Sequence, residues 1–195
     1  EEIYKRGELV LETARKPGDS LRYFAEVERL YPYTEWAKRG LIMQAYTLHQ
    51  SKDYEQARAH LAQARAQGKF QAPELDTLDI RIAIADRDVQ GALNLAKQAW
   101  QRWPKSQGVA LAYVQVLQQL GQNDQAQAFL MDRIKQWPDE PQLHQLLAQT
   151  YDRLGDGVKA RRAMAQYYEL VGALPTAVEQ LQQQITSRSG SNLQP

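Results

Sequence analysis

Apolar residues recur along most of this chain at intervals of three and four. Val109, Ala112, Tyr113, Val116, Leu117 and Leu120 form one such series, and Leu143, Leu146, Leu147, Thr150, Tyr151 and Leu154 form another. At this spacing the side chains gather into one stripe and leave the opposite side polar, which predicts amphipathic helices and no sheet. The breaks between stripes are short. Leu120-Gly121-Gln122-Asn123-Asp124 and Leu154-Gly155-Asp156-Gly157 place glycine where the chain turns after a helix, and Gln50-Ser51-Lys52-Asp53-Tyr54 and Arg87-Asp88 occupy the corresponding places without it. Turns this short fold successive helices back on each other as antiparallel pairs.

The pairs repeat. Tyr31-Pro32, Trp103-Pro104 and Trp137-Pro138 set a register, with 34 residues from Pro104 to Pro138. Twelve residues before these prolines stand Ser20, Ala92 and Ala126, and the same register puts Ala57 and Ala160 at the equivalent point, where two crossing helices leave room only for a small side chain. Proline lacks a backbone donor and disfavours α conformation in the residue before it, so the second helix of a pair stops there. Pro73, Pro141 and Pro175 instead suit the first turn of a following helix.

A 34-residue helix pair with these features resembles the tetratricopeptide repeat (TPR). The resemblance implies an all-α, TPR-type superhelical solenoid of about five helix pairs plus a C-terminal closing helix, about eleven helices in total. Stacking supplies the core, because one pair cannot bury its own apolar face. Repeats are expected to begin near Glu1, Lys38, Pro73, Gln107 and Pro141, at intervals of 37, 35, 34 and 34 residues, with Pro175 opening one further helix. The early surplus predicts a changed angle between the first neighbouring pairs. Arg15-Lys16-Pro17-Gly18-Asp19-Ser20 reads as a turn, and the aperiodic segment from Ser187 to Pro195 as a frayed, flexible tail.

Two finer resemblances divide the chain. Glu2-Ile3-Tyr4, Gly7, Tyr23 through Tyr33, Glu35-Trp36-Ala37 and Met43-Gln44-Ala45-Tyr46 resemble the BamD (ComL) outer-membrane assembly lipoproteins over roughly residues 1–57. The lipid-attachment cysteine of that family is absent, and the 15–20 segment departs from its usual entry to the second helix. Ala163 through Leu170, Gly172 and Ala177-Val178-Glu179-Gln180-Leu181 are similar to the TPR tail of BepA-type periplasmic zinc metallopeptidases, whose peptidase domain and His-Glu-x-x-His helix are not in this sequence. Composition shifts at the same place. Gln44 is the only glutamine among the first 49 residues against 25 in the remaining 146, and charged residues number 16 before and 31 after. The expected division is a BamD-like segment at 1–50, a TPR array with its closing helix at 51–186 and the tail at 187–195. An engineered fusion of two TPR fragments and ordinary variation between natural repeats both fit the shift.

Charge removes several functions. Lys plus Arg (24) nearly balances Asp plus Glu (23), so no overall field draws the chain to nucleic acid or anionic membrane. The absence of cysteine excludes disulfides, thiol catalysis and cysteine-based zinc sites and leaves the compartment open, the periplasm being implied only by the resemblances. No apolar run is long enough to span a bilayer, and Glu1-Glu2 starts neither a basic nor an apolar leader, so no membrane insertion is expected.

No constellation for chemistry emerges. His49, His60 and His144 have no partner at zinc-ligand spacing, and no phosphate-cradling glycine loop or nucleophile elbow occurs, so no enzyme, metal or cofactor is expected. Asp139-Glu140 reads as solvated charge in a turn. Trp36, Trp100, Trp103 and Trp137 read as packing residues at helix ends, and Tyr167-Tyr168 as one buried and one half-exposed ring. In TPR arrays the ninth position of each first helix points into the concave groove, and here it reads Leu9, Tyr46, Arg81, Gln115 and Gln149. This series does not match the Lys/Asn/Arg clamp for carboxylate tails. Tyr46, Arg81, Gln115 and Gln149 are therefore the candidate contacts for a protein or peptide partner, beside a concave face without an evolved ligand. Apolar ends of a repeat array also make self-association an expectation.

Overall fold

The structure is a computed structural model that describes residues 1–13, 17–66 and 71–191, with side chains placed among them except at 13 and 183–191. Among these residues every regular element is a helix: α1 (Glu2–Thr13), α2 (Pro17–Leu30), α3 (Glu35–Gln50), α4 (Tyr54–Ala66), α5 (Pro73–Ala85), α6 (Val89–Arg102), α7 (Gln107–Gln119), α8 (Asn123–Gln136), α9 (Pro141–Arg153), α10 (Gly157–Leu170) and α11 (Leu174–Ser191). This is the all-α arrangement of five helix pairs and a closing helix that the periodicity predicts. The chain forms two compact units, 1–112 and 113–195, which meet within the sequence of α7.

The crossings follow the register. Ser20, Ala57, Ala92 and Ala126 are wholly buried, whereas Ala160 is half-buried. Trp103 and Trp137 end α6 and α8, their backbone N–H groups donating to the carbonyls of Ala99 and Arg133 at 2.8 Å before the proline halts the helix. In the first unit glycine also sets how closely helices approach. A Cβ on Gly7 would lie 2.7 Å from the Phe24 ring and one on Gly40 3.1 Å from the Phe24 carbonyl oxygen, and between them Phe24 is fully buried.

Four expectations change. α3 begins at Glu35, not Lys38, because the Thr34 hydroxyl accepts from the N–H of Ala37 and caps the helix one turn earlier. The first helices of the pairs then start at steps of 33, 38, 34, 34 and 33 residues, so the surplus lies before α5 and not in the first pair. Pro17 through Ser20 form the opening turn of α2, where proline lacks only a donor that needs no partner; Arg15 and Lys16 lie outside the described residues. The helix α11 continues through Ser191, so 187–191 is helical backbone, and 192–195 lie outside the described residues.

The compositional step near residue 50 is not a packing boundary. Leu41, Ala45 and Leu48 from α3 share one core with Ala57, Leu61 and Ala64 from α4 and with Leu75, Leu78 and Ile82 from α5. Helix contacts run in series through the first unit, each of α1 to α3 packing on the next, α3 on α4, α4 on α5 and α5 on α6, while α1, α3 and α5 also touch one another in order.

Candidate interaction groove

The faces of α1, α3 and α5 that are not spent on the core line three adjoining clefts of the first unit. Between α1 and the first half of α3 lies a cleft of about 650 Å³ that includes Tyr4, Glu8, Glu35, Trp36, Arg39 and Glu74. A second, of about 530 Å³, lies between Glu8, Leu11 and Glu12 of α1 and Met43, Tyr46 and Gln50 of α3. The third, of about 370 Å³, is the most apolar of the three, with Ile42, Met43 and Tyr46 of α3, Pro73, Glu74, Thr77, Leu78 and Arg81 of α5, and Ser106 and Gly108 in its lining. Met43 borders all three, Ile42 the first and third, and Tyr46 the second and third, so the clefts form one groove across the helices.

Local bonds hold its walls. The Gln50 amide donates to the Tyr46 hydroxyl at 2.6 Å, and the Thr77 hydroxyl donates to the Pro73 carbonyl at 2.7 Å, which turns its methyl away from that bond. The Trp36 ring lies 5.5 Å from Tyr4 and carries the Arg39 guanidinium 5.2 Å from its centre. Burial, with the neighbouring Glu8 carboxylate, pushes the Tyr4 hydroxyl up to about 12, so it stays a neutral donor. The His49 ring lies 5.6 Å from that of Tyr54; burial first, and then the Arg81 charge, lower its pKa, so the neutral imidazole is favoured beside Arg81.

The sequence candidates divide between the units. Tyr46 and Arg81 line the same apolar cleft, each half-buried. Leu9 is exposed, and its neighbours Glu8, Leu11 and Glu12 border the groove in its place. Gln115 and Gln149 are exposed on α7 and α9 of the second unit. Ile42, Met43, Thr77 and Leu78 were not among the candidates, yet they stand three and four residues before Tyr46 and Arg81, the positions one helical turn back on the same face. That spacing is the signal that reaches them.

Other singled-out residues take structural places. The Trp103 indole N–H donates to Asp76 at 2.8 Å, and all four tryptophans are half-buried. Tyr167 and Tyr168 are both half-buried and meet edge to face at 5.3 Å, where one buried and one half-exposed ring was expected; adjacent helix positions diverge by 100°, and both rings here flank the stripe. Glu140 caps α9, and the His144 Nε2 donates to the Pro138 carbonyl at 2.9 Å. Among the described residues no group of three acidic or histidine side chains is placed to hold a metal ion, and no helix is long and apolar enough to cross a membrane.

Known proteins now place the fold. The tetratricopeptide repeat profile matches residues 83–150. The fold is of the tetratricopeptide type. Among solved structures, TTC0263, a thermophilic TPR protein of Thermus thermophilus, is similar over 95% of this chain and 96% of its own, at 18% identity and a TM-score of 0.72. MamA (41-end) of Desulfovibrio magneticus RS-1 aligns over 88% of this chain and 95% of its own, at 16% identity and a TM-score of 0.63. YrrB, described as a TPR protein with an unusual peptide-binding site, aligns over 91% of this chain and 89% of its own, at 14% identity and a TM-score of 0.57. No curated protein sequence matches the chain. At these identities the shared property is the fold, a type that in general serves as a non-enzymatic scaffold for protein binding.

Proposed function

We propose that this chain is a non-enzymatic TPR scaffold that holds an extended segment of another protein across α1, α3 and α5. The observation that carries this reading is the continuity of the groove through Ile42, Met43 and Tyr46, with an apolar slot large enough for a side chain at one end. A groove that crosses several helices suits an extended backbone, and its half-buried aromatic and arginine are the residue types that most often carry binding energy. The BamD-like and BepA-like resemblances read from the sequence support a partner among envelope-assembly proteins of the periplasm. Fluorescence anisotropy against a library of labelled ten-residue peptides tests the reading. Tyr46→Ala and Arg81→Ala are each expected to weaken the best binder about tenfold with unchanged helicity, a loss of about 1.4 kcal/mol. A library without any binder, or variants that bind as well as the parent, would overturn it.

A second reading is a fusion of fragments from two TPR proteins with a concave face that has no evolved ligand. The step in glutamine and charge content near residue 50 favours it. Separate sequence searches with residues 1–50 and 57–195 should then lead to different families, and one natural relative aligned continuously across 30–120 would remove it.

A further inference from the structure

Most of the exposed arginines of the first unit are engaged by neighbouring side chains. Arg58 pairs with Asp86, Arg65 with Asp76 and Asp79, and Arg102 with Asp76, while Arg39 lies over Trp36. Arg81 differs. It is half-buried in the wall of the apolar slot, and its guanidinium makes no ion pair or hydrogen bond among the described residues. Asp76 and Asp79 of its own helix and Asp86 at that helix's C-cap are committed to α4 and α6, while Glu74, in the first turn of α5, borders the slot and the first cleft alike. The other end of the groove has the opposite surplus. Glu8, Glu12 and Glu35 border it, Glu35 within 3.6 Å of Lys38, whereas Lys5 is held by Glu1 at 2.5 Å and Arg39 by its ring.

We propose that the segment held in this groove is charge-polarised, with a cationic side chain over α1 and α3, an apolar side chain in the slot between α3 and α5, and an Asp or Glu carboxylate against Arg81. The inference rests on the peptide-groove reading and adds to it the chemistry and placement of the ligand. A carboxylate at Arg81 supplies the charge-assisted hydrogen bonds that the chain itself does not, in a place shielded by Tyr46, Leu78 and Ile42. A lysine or arginine at the other end meets carboxylates that outnumber the cations beside them. Packed helices stand about 8–10 Å apart, so the clefts on either side of α3 are separated by about three residues of extended chain. The ligand therefore carries its cation about three residues from the apolar anchor, with the acid next to that anchor on the far side.

Two N-acetylated, C-amidated, fluorescein-labelled peptides test this on the full chain, one reading Lys, two spacers, Leu, Asp and the other its reverse, which together sample both directions of the backbone. The better of the two is expected to bind the parent at least tenfold more tightly than its uncharged version with Gln and Asn. In Arg81→Gln the contribution of the Asp should vanish while that of the Lys remains, and Arg81→Glu should prefer the peptide whose Asp is replaced by Lys. Glu8→Gln combined with Glu12→Gln should remove the contribution of the Lys alone. Equal binding of charged and uncharged peptides overturns the polarity and leaves the groove reading standing. If neither charged nor uncharged peptides bind, and the library above also yields none, the groove reading itself falls. Circular dichroism of each variant separates a lost contact from a lost fold.

Discussion

The two units reach the same helix-pair geometry with different chemistry. Between α4, α5 and the end of α6 the clasp is ionic: Asp76, its side chain only 14% exposed, accepts from Arg65 at 3.2 Å, from Arg102 at 2.7 Å and from the Trp103 indole at 2.8 Å. Asp79 also takes Arg65, yet burial lifts its carboxyl above the ordinary range, a sign that the pair offsets only part of the cost of leaving water. In the second unit the clasp between α7 and α9 is neutral. The buried Gln118 amide donates to the Leu146 carbonyl at 3.0 Å and the Thr150 hydroxyl at 2.8 Å, while Arg153 donates to the Gln118 carbonyl at 2.6 Å. The turns differ in parallel. The left-handed residue that closes α3 and α5 is Lys52 or Arg87, both at φ 64°, whereas after α7, α9 and α10 it is Gly121, Gly155 and Gly172. Repeat geometry is thus a requirement on shape that several chemistries meet, and the first unit meets it with more strain and more charge.

The largest expected effect breaks the clasps. Asp76→Ala leaves two arginines and an indole N–H without their shared acceptor and should cost about 3 kcal/mol, against about 1–2 kcal/mol for Gln118→Ala, both read from urea midpoints. Equal losses would show that the ionic and neutral clasps are equivalent. Gly7→Ala comes next. The added methyl meets the buried Phe24 ring, and a loss of about 1–3 kcal/mol is expected, whereas a neutral result would show that the ring can move aside.

The turns give a smaller effect of opposite sign in the two units. Nothing lies within 4 Å of a Cβ added at Gly121, so Gly121→Ala tests the backbone alone and should cost about 1 kcal/mol. Lys52→Gly and Arg87→Gly should each stabilise by up to about 1 kcal/mol, because the strain that they relieve exceeds the added freedom of the unfolded chain. Differential scanning calorimetry checks the signs. The smallest effect is a pH dependence confined to the first unit. His49 binds its proton less readily folded than unfolded, so stability is full above the ordinary histidine value of 6.5 and declines as pH falls from there toward the lowered folded value. His49→Gln should flatten the change in urea midpoint between about pH 7.5 and 5.5.

Much of this was legible in the residues. Proline register and the small residues at 20, 57, 92 and 126 follow from local steric rules, and the structure has them where those rules put them, whereas Lys52 and Arg87 take left-handed turn positions against those rules. The start of α3 is hard to read in the sequence because no proline marks it, and the Thr34 cap is a weaker signal than Pro73 or Pro141. Gly7 and Gly40 showed no purpose until Phe24 was seen between them.

The sequence by itself therefore determined the helices, their pairing and the face that each presents, because a period of 3.6 and the geometry of proline and glycine act within a few residues. Only the tertiary structure decided that Met43 joins three clefts, that Tyr46 and Arg81 share one of them, and that Asp76 takes both Arg65 and Arg102. Those facts depend on which side chains meet across helices some 35 residues apart in sequence. A stripe specifies that a face is buried or wet, and the partner across the gap is fixed only when the helices are packed.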